Sequence, residues 1–309
     1  MADERLRAGV QALFVTFLWA TSWVLIKIGL EEIPALTFAG LRYFLAFACL
    51  APIAVRSGRL RALRALPARS WARLFLLGLL LYTVTQGAQF VALFYLPAVT
   101  VNLLLSFTAV AVSLLGLVVL DERPTRLQWA GVGLATFGAI IYFHPVNFPA
   151  SQLIGAIVAV AGMLSNAGAA VLGRHVNRDP HFHPLAVTFV SMGIGSVLLL
   201  ASGIVLQGLP PLGLQSWLII IWLAVVNTAF AFTLWNHTLR VLTATESSII
   251  NGTMLIWIPI LAVLFLGERI TEKELLGLAL AGLGTLFVQL RRGAVVRKLL
   301  GRLMASRQP

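Results

Sequence analysis

Indole rings and neutral hydrogen-bonding groups recur at helical spacing inside apolar runs of this chain. Trp19 and Trp23 stand four apart with Ser22 between them, and Tyr82, Gln86 and Gln89 follow i, i+4, i+7. Asn102, Ser106, Ala109 and Ser113 form another stripe. Ser165 and Asn166 come next, then Asn227, Thr228 and Trp235, then Ser247, Asn251 and Trp257. Residues at i, i+4 and i+7 share a helix face. Indoles and amides offer stacking and hydrogen bonds without fixed charge. That chemistry suits a neutral or zwitterionic solute with an apolar or aromatic side chain. A phosphate would require Lys or Arg.

Each group also has a plain structural role. Ser, Thr, Asn and Gln between apolar helices act as glue, worth about 0.6 kcal/mol each. Trp anchors helices at a membrane surface, which suits Trp71, Trp129 and Trp217 at helix starts but not Trp19 and Trp257 near mid-run. Two cations lie inside apolar runs, Lys27 and Arg42. Lys27 precedes Glu31 by four residues, the spacing of a helical ion pair. Arg42 stands about two turns inside its run, where a charge is costly and points to function. It can receive a solute carboxylate, or it can snorkel outward to Glu31 or Glu32; the snorkel is the plainer reading. The candidate binding set is Trp19, Ser22, Trp23, Arg42, Tyr82, Gln86, Asn102, Ser106, Ser165, Asn166, Asn227, Trp235, Asn251 and Trp257.

No catalytic residue and no cofactor is expected. His181 and His183, with His175 nearby, lack four ligands at metal-site spacing. No phosphate-binding loop, Ser–His–Asp set or dinucleotide fingerprint appears. No ATPase module is present, and Glu246 is the acid nearest the interior of an apolar run. The single Cys49 excludes an internal disulfide and reads as a small core residue.

The elements holding these groups follow from composition. Of 309 residues, 59% are hydrophobic and 11% charged, and the mean hydropathy is +0.93. A soluble domain carries about a quarter charged residues, so the chain belongs in a bilayer. About 20 apolar residues cross it as a helix. Ten spans are expected near 10–30, 34–55, 72–94, 99–119, 127–143, 153–174, 184–206, 215–238, 245–266 and 272–290. With a cytoplasmic N-terminus, the cytoplasmic segments then hold 19 of the 23 Lys and Arg, as the positive-inside rule requires. The net charge of +12 is thereby a topology signal and a contact to anionic lipid, not a nucleic-acid surface. Both termini are expected in the cytoplasm, with the chain in the inner (plasma) membrane. A monomer is compatible with all of this.

The stretch LDERPTRLQWAGVGLATFG from Leu120 recurs as LGERITEKELLGLALAGLG from Leu266, with eight identities. Thr125 with Gln128, and Thr271 with Glu274, make capping boxes. Gly131, Ala135 and Gly138, like Gly277, Ala281 and Gly284, place small residues on one face for close packing. Glu122 and Glu268 favour the positive end of the following helix. The motif is therefore a corner, a cap and a seam. Because it closes the fourth and ninth spans, five spans make each repeat, and an odd number inverts the second. The expected units are 1–146, 147–292 and a basic tail, 293–309.

These features resemble the drug/metabolite transporter superfamily, specifically EamA-type members. LDERPT and LGERIT, FLWATSWVLIKIGL at 17–30 and ALFYLPAVTVNLLLSFTAVAVSLLGLVVLDE at 92–122 carry the resemblance. It implies a transporter of small metabolites and is similar in proportions to bacterial exporters of aromatic and other neutral amino acids. Alternating access, with Gly29, Pro34, Pro97, Gly252 and Pro259 as bending points, is the expected mechanism. Where the family often has proline, this chain has Ala109, and Pro259 lies four residues past the equivalent Leu255. A passive facilitator and a proton-coupled transporter, with Glu246 as the proton carrier and a gradient as the energy source, are both open. Proton-coupled transport of drugs, nucleosides or vitamins is the alternative, and a non-transporting scaffold is the alternative class.

Overall fold

The computed structural model describes residues 2–56, 67–119, 125–145, 149–178, 184–242 and 244–289. Among them there is no β-strand. α1 (Ala2–Gly29) and α2 (Ala35–Arg56) are followed by a rod made of α3 (Ala68–Gly78), a π-helical segment (Leu79–Thr85) and α4 (Gln86–Tyr95). The next rod is α5 (Ala98–Ser106) and α6 (Thr108–Val119), then α7 (Arg126–Phe143). The second half runs α8 (Ala150–Arg178), α9 (Pro184–Gln207), α10 (Leu214–Ala224), a second π segment (Val225–Phe230) and α11 (Ala231–Thr238). α12 (Ala244–Gly252), α13 (Met254–Leu266) and α14 (Glu272–Gln289) complete it. Eight rods are long and apolar enough to cross a membrane. The other two, α7 and α14, have 18 residues each and open on polar turns.

The repeat extends to the irregularities. In the fourth rod the amide of Phe107 bonds back three residues to Leu104 (3.3 Å), and in the ninth Thr253 bonds back three to Ile250 (3.0 Å). The two tight steps are 253 − 107 = 146 residues apart. The π segments begin at Leu79 and Val225, again 225 − 79 = 146 apart. Each half thus has one rod with a wide turn and one with a tight step. Pro259 lies inside α13, so the break precedes it by about two turns and is made by Thr253. The Thr253 hydroxyl holds Ile250 O at 2.6 Å and faces Thr16 Oγ1 at 3.2 Å.

Both capping boxes form. Thr125 and Gln128 exchange bonds of 2.9 and 3.3 Å, and Thr271 and Glu274 exchange bonds of 2.7 and 3.3 Å. The helices they start pack on each other. A Cβ on Gly131 would lie 2.7 Å from Gly284 O, and one on Gly284 would lie 2.6 Å from Gly131 O. Gly138 and Gly277 make the matching pair at 2.6 and 2.7 Å. Partner numbers fall as numbers rise, so α7 and α14 run antiparallel, backbone against backbone. α2 and α9 do the same: a Cβ on Gly40 would lie 2.7 Å from the Leu200 amide nitrogen, and one on Gly203 would lie 2.5 Å from that of Thr37.

Cross-half contacts recur with the halves exchanged. α8 packs on α5 and α6 as α1 packs on α12 and α13; α4 packs on α8 as α11 packs on α1. The core they enclose holds Ile26, Phe38, Phe90, Leu93, Leu103, Met192, Leu199, Ile220 and Leu223. Cys49 is not part of it. It is exposed, on the flank of α2 away from the core. Leu120–Pro124, Glu122 included, His181–His183 and the 293–309 tail lie outside the described residues.

Candidate functional site

The second π segment packs against α1 and α2 and brings buried polar groups together there. A π turn leaves carbonyls out of register with the helical ladder. Thr228 takes up one of them, donating to Leu223 O at 2.8 Å. Its oxygen then accepts from Arg42 Nε at 3.0 Å. Asn227, beside it, is fully buried. Its amide donates to Leu18 O and to Thr21 Oγ1 (3.1 Å), while its Oδ1 has no partner among the described residues. Neighbouring residues on one wide turn therefore engage two different helices.

Aromatic rings pack along the same stretch of α1. Trp19 packs on Phe232 and Trp235, both with centroids at 5.2 Å. Trp257 meets Phe17 edge-on at 5.5 Å. The indole nitrogens of Trp19 and Trp257 are buried and have no hydrogen-bond partner among the described residues. Buried polar atoms without partners are rare in folded proteins. Here three of them stand against residues 17–21 of α1 or the π turn facing it.

Arg42 is 3% exposed. It does not snorkel to Glu31 or Glu32: Glu32 accepts from Ser216 Oγ at 2.5 Å instead. The guanidinium lies 5.2 Å from the Tyr43 ring and 6.0 Å from that of Phe90. Cation–π contact returns about 2 kcal/mol when desolvated, against a burial penalty of several kcal/mol per ion. The rings alone leave that charge undercompensated. Tyr43 in turn donates to Gln86 Oε1 at 2.6 Å and packs on Tyr82 at 5.9 Å. Arg42, Tyr82, Gln86, Asn227, Trp19 and Trp235 thus form one connected region. Sequence reasoning missed Tyr43, Phe90 and Phe232; adjacency to Arg42 was the available signal for Tyr43.

The remaining candidates are dispersed. Trp23 is 5% exposed and packs in the apolar core. Ser22 and Ser106 bond to their own helices, at Trp19 O and Leu103 O. Ser165 holds the π-segment carbonyl of Leu80 at 2.9 Å. Asn102 donates to Met254 O at 3.3 Å and Asn166 to Thr108 Oγ1 at 3.4 Å, both helix-to-helix bonds. Asn251 is exposed. Lys27 does not pair with Glu31; its ammonium donates to Leu96 O at 2.8 Å. Glu268 caps α5, with Oε1 and Oε2 accepting from Ala98 N (2.6 Å) and Val99 N (3.1 Å), rather than the helix following it. Glu246 faces Arg5 at 3.9 Å, both half-exposed.

A cavity of about 490 Å³ opens elsewhere, at the end of the bundle carrying the α4–α5 turn. Thr100, Tyr142, Gln152, Lys273 and Glu274 line it, and none of the sequence-derived binding residues does.

Eight helices long and apolar enough to cross a membrane, in a chain built from two copies of one pattern, define a multi-span membrane protein. The chain belongs to the EamA-like transporter family, whose profile matches residues 7–143 and again 153–290. It is thus a membrane transporter of the drug/metabolite transporter superfamily, not an enzyme. It is 29% identical to a probable amino-acid metabolite efflux pump of Salmonella typhimurium, covering 89% of this chain and 93% of the relative. The Escherichia coli protein of the same description is 27% identical, covering 88% and 91%. The uncharacterized inner membrane transporter YedA of Escherichia coli is also 27% identical, covering 90% of each. A crystal structure superposes with a TM-score of 0.65 over 96% of this chain and 99% of its own at 18% identity. At that identity the likeness is one of fold.

Proposed function

We propose that this transporter moves small metabolites, foremost aromatic and other neutral amino acids, out of the cell by alternating access. The observation carrying this reading is the set of three buried, unpartnered polar atoms: Trp19 Nε1, Trp257 Nε1 and Asn227 Oδ1. Two donors and one acceptor among aromatic rings match a zwitterion with an apolar side chain. The relatives described as amino-acid metabolite efflux pumps support the same substrate class. Of the sequence candidates, Trp19, Arg42, Tyr82, Gln86, Asn227, Trp235 and Trp257 are the proposed lining, with the π turn at its centre.

In this reading ten helices cross the inner membrane, α7 and α14 included, and both termini face the cytoplasm. Residues 1–146 and 147–292 are inverted repeats. The antiparallel pairing of α7 with α14 and of α2 with α9 supports the inversion, since equivalent helices of inverted halves point in opposite directions. The tight steps at Phe107 and Thr253 are where the α5–α6 and α12–α13 rods bend, while the Gly/Ala seam moves as a block. The test is a competition panel in proteoliposomes, repeated with Trp19→Ala and Gln86→Ala. Phenylalanine and tryptophan compete best in the wild type, and both variants weaken them. Unchanged selectivity in both variants would remove this site.

A further inference from the structure

The geometry points to Arg42 as the receptor for a solute carboxylate, which makes an anionic group a requirement for recognition and excludes simple cations. This deepens the transport reading above and rests on it. Arg42 Nε is held by Thr228 at 3.0 Å, the guanidinium's one hydrogen bond among the described residues. No described carboxylate lies within ion-pair distance of it. The side chain is nonetheless 3% exposed, and Tyr43 and Phe90 hold it by their ring faces.

A guanidinium offers two edges to a carboxylate: the side edge through Nε and one Nη, and the end edge through both Nη atoms. Thr228 occupies the first. Tyr43 and Phe90 supply ring faces rather than acceptors. The end edge therefore keeps two parallel N–H donors, the geometry of a bidentate carboxylate bond. A permanent protein partner would have been a buried Asp or Glu. The described acids instead sit elsewhere: Glu32 with Ser216, Glu246 with Arg5, Glu268 on the α5 amides, Glu274 in its capping box. A buried arginine without a resident counter-ion is completed by an anion that comes and goes.

Thermal protection of the purified full-length protein in detergent tests this. The probes are L-phenylalanine, 3-phenylpropionate, phenethylamine and L-phenylalaninamide, with the leucine-derived set beside them. The acids protect at concentrations about 10- to 100-fold lower than the amine and amide, the range of a charge-assisted bidentate bond. Arg42→Gln abolishes the acid preference, and Arg42→Lys keeps part of it. Equal protection by amine and acid in the wild type overturns the assignment, and so does an acid preference that persists in Arg42→Gln. Should that variant not fold, the wild-type comparison decides. Vesicle flux separates the two layers: amines moved as readily as acids leave transport standing and remove the carboxylate site. No protection and no flux with any probe removes both.

Discussion

Replacing Trp19 by Ala removes a ring that packs on Phe232 and Trp235. An aromatic contact of this kind is worth about 0.5–1.5 kcal/mol beyond burial. The expected outcome is a rise of roughly 2- to 10-fold in the KM for phenylalanine flux. Trp222→Ala, on an exposed face of α10, leaves KM unchanged; equal effects would place Trp19 among structural residues. Glu268 is a second test at this scale. Its two bonds to the α5 amides make it an N-cap supplied from the other half of the chain. Glu268→Ala lowers stability by about 1–2 kcal/mol, read as a lower Tm in detergent, and Glu31→Ala does not. The residue types of the site were legible in the sequence, but their pairings were not. Helical spacing orders groups on one helix and is silent about which helix each face meets. Thus Lys27 suggested Glu31 but found Leu96 O, and Arg42 suggested an outward escape but found Thr228.

The element most open to a decisive substitution is the α7–α14 seam. Gly138 touches the backbone of Gly277 and Ala281, whereas Gly133 on the same helix has open space where a Cβ would stand. Gly138→Val forces the helices apart and costs about 1–3 kcal/mol or more. Gly133→Ala is neutral or stabilising by up to about 1 kcal/mol. Thermal unfolding of the two variants side by side checks the pair, and similar Tm values would contradict the seam. The seam and both capping boxes were readable because they are local patterns: a cap is settled within four residues, and a small-residue face within seven. The π segments were not readable. Leu79–Thr85 and Val225–Phe230 are ordinary apolar helix sequence with Thr and β-branched residues, and the wide turn becomes visible only when a hydroxyl holds a carbonyl five residues back, as Thr85 does for Leu80. The tight step at Thr253 falls one residue past Gly252, which the sequence offered as a bending point beside Pro259.

At the scale of the whole molecule, the 146-residue translation in sequence becomes recurrence in space: wide turn with wide turn, tight step with tight step, and the packing of α8 on α4, α5 and α6 matched by that of α1 on α11, α12 and α13. The topology that follows has its own test. In a Cys49→Ser background, Arg69→Cys is labelled by an impermeant thiol reagent only from the cytoplasmic side and Lys273→Cys only from the opposite side. Labelling of both from one side would contradict the ten-span reading. The central claim is that the halves take turns exposing one amino-acid site between them. A carrier of that kind returns faster loaded than empty, so solute waiting on the far side speeds uptake, and a pore shows no such effect. The direct measurement is uptake of labelled phenylalanine into proteoliposomes with and without unlabelled phenylalanine inside. The account predicts saturable uptake that internal phenylalanine accelerates. Uptake that rises linearly with concentration and ignores the internal pool would contradict it.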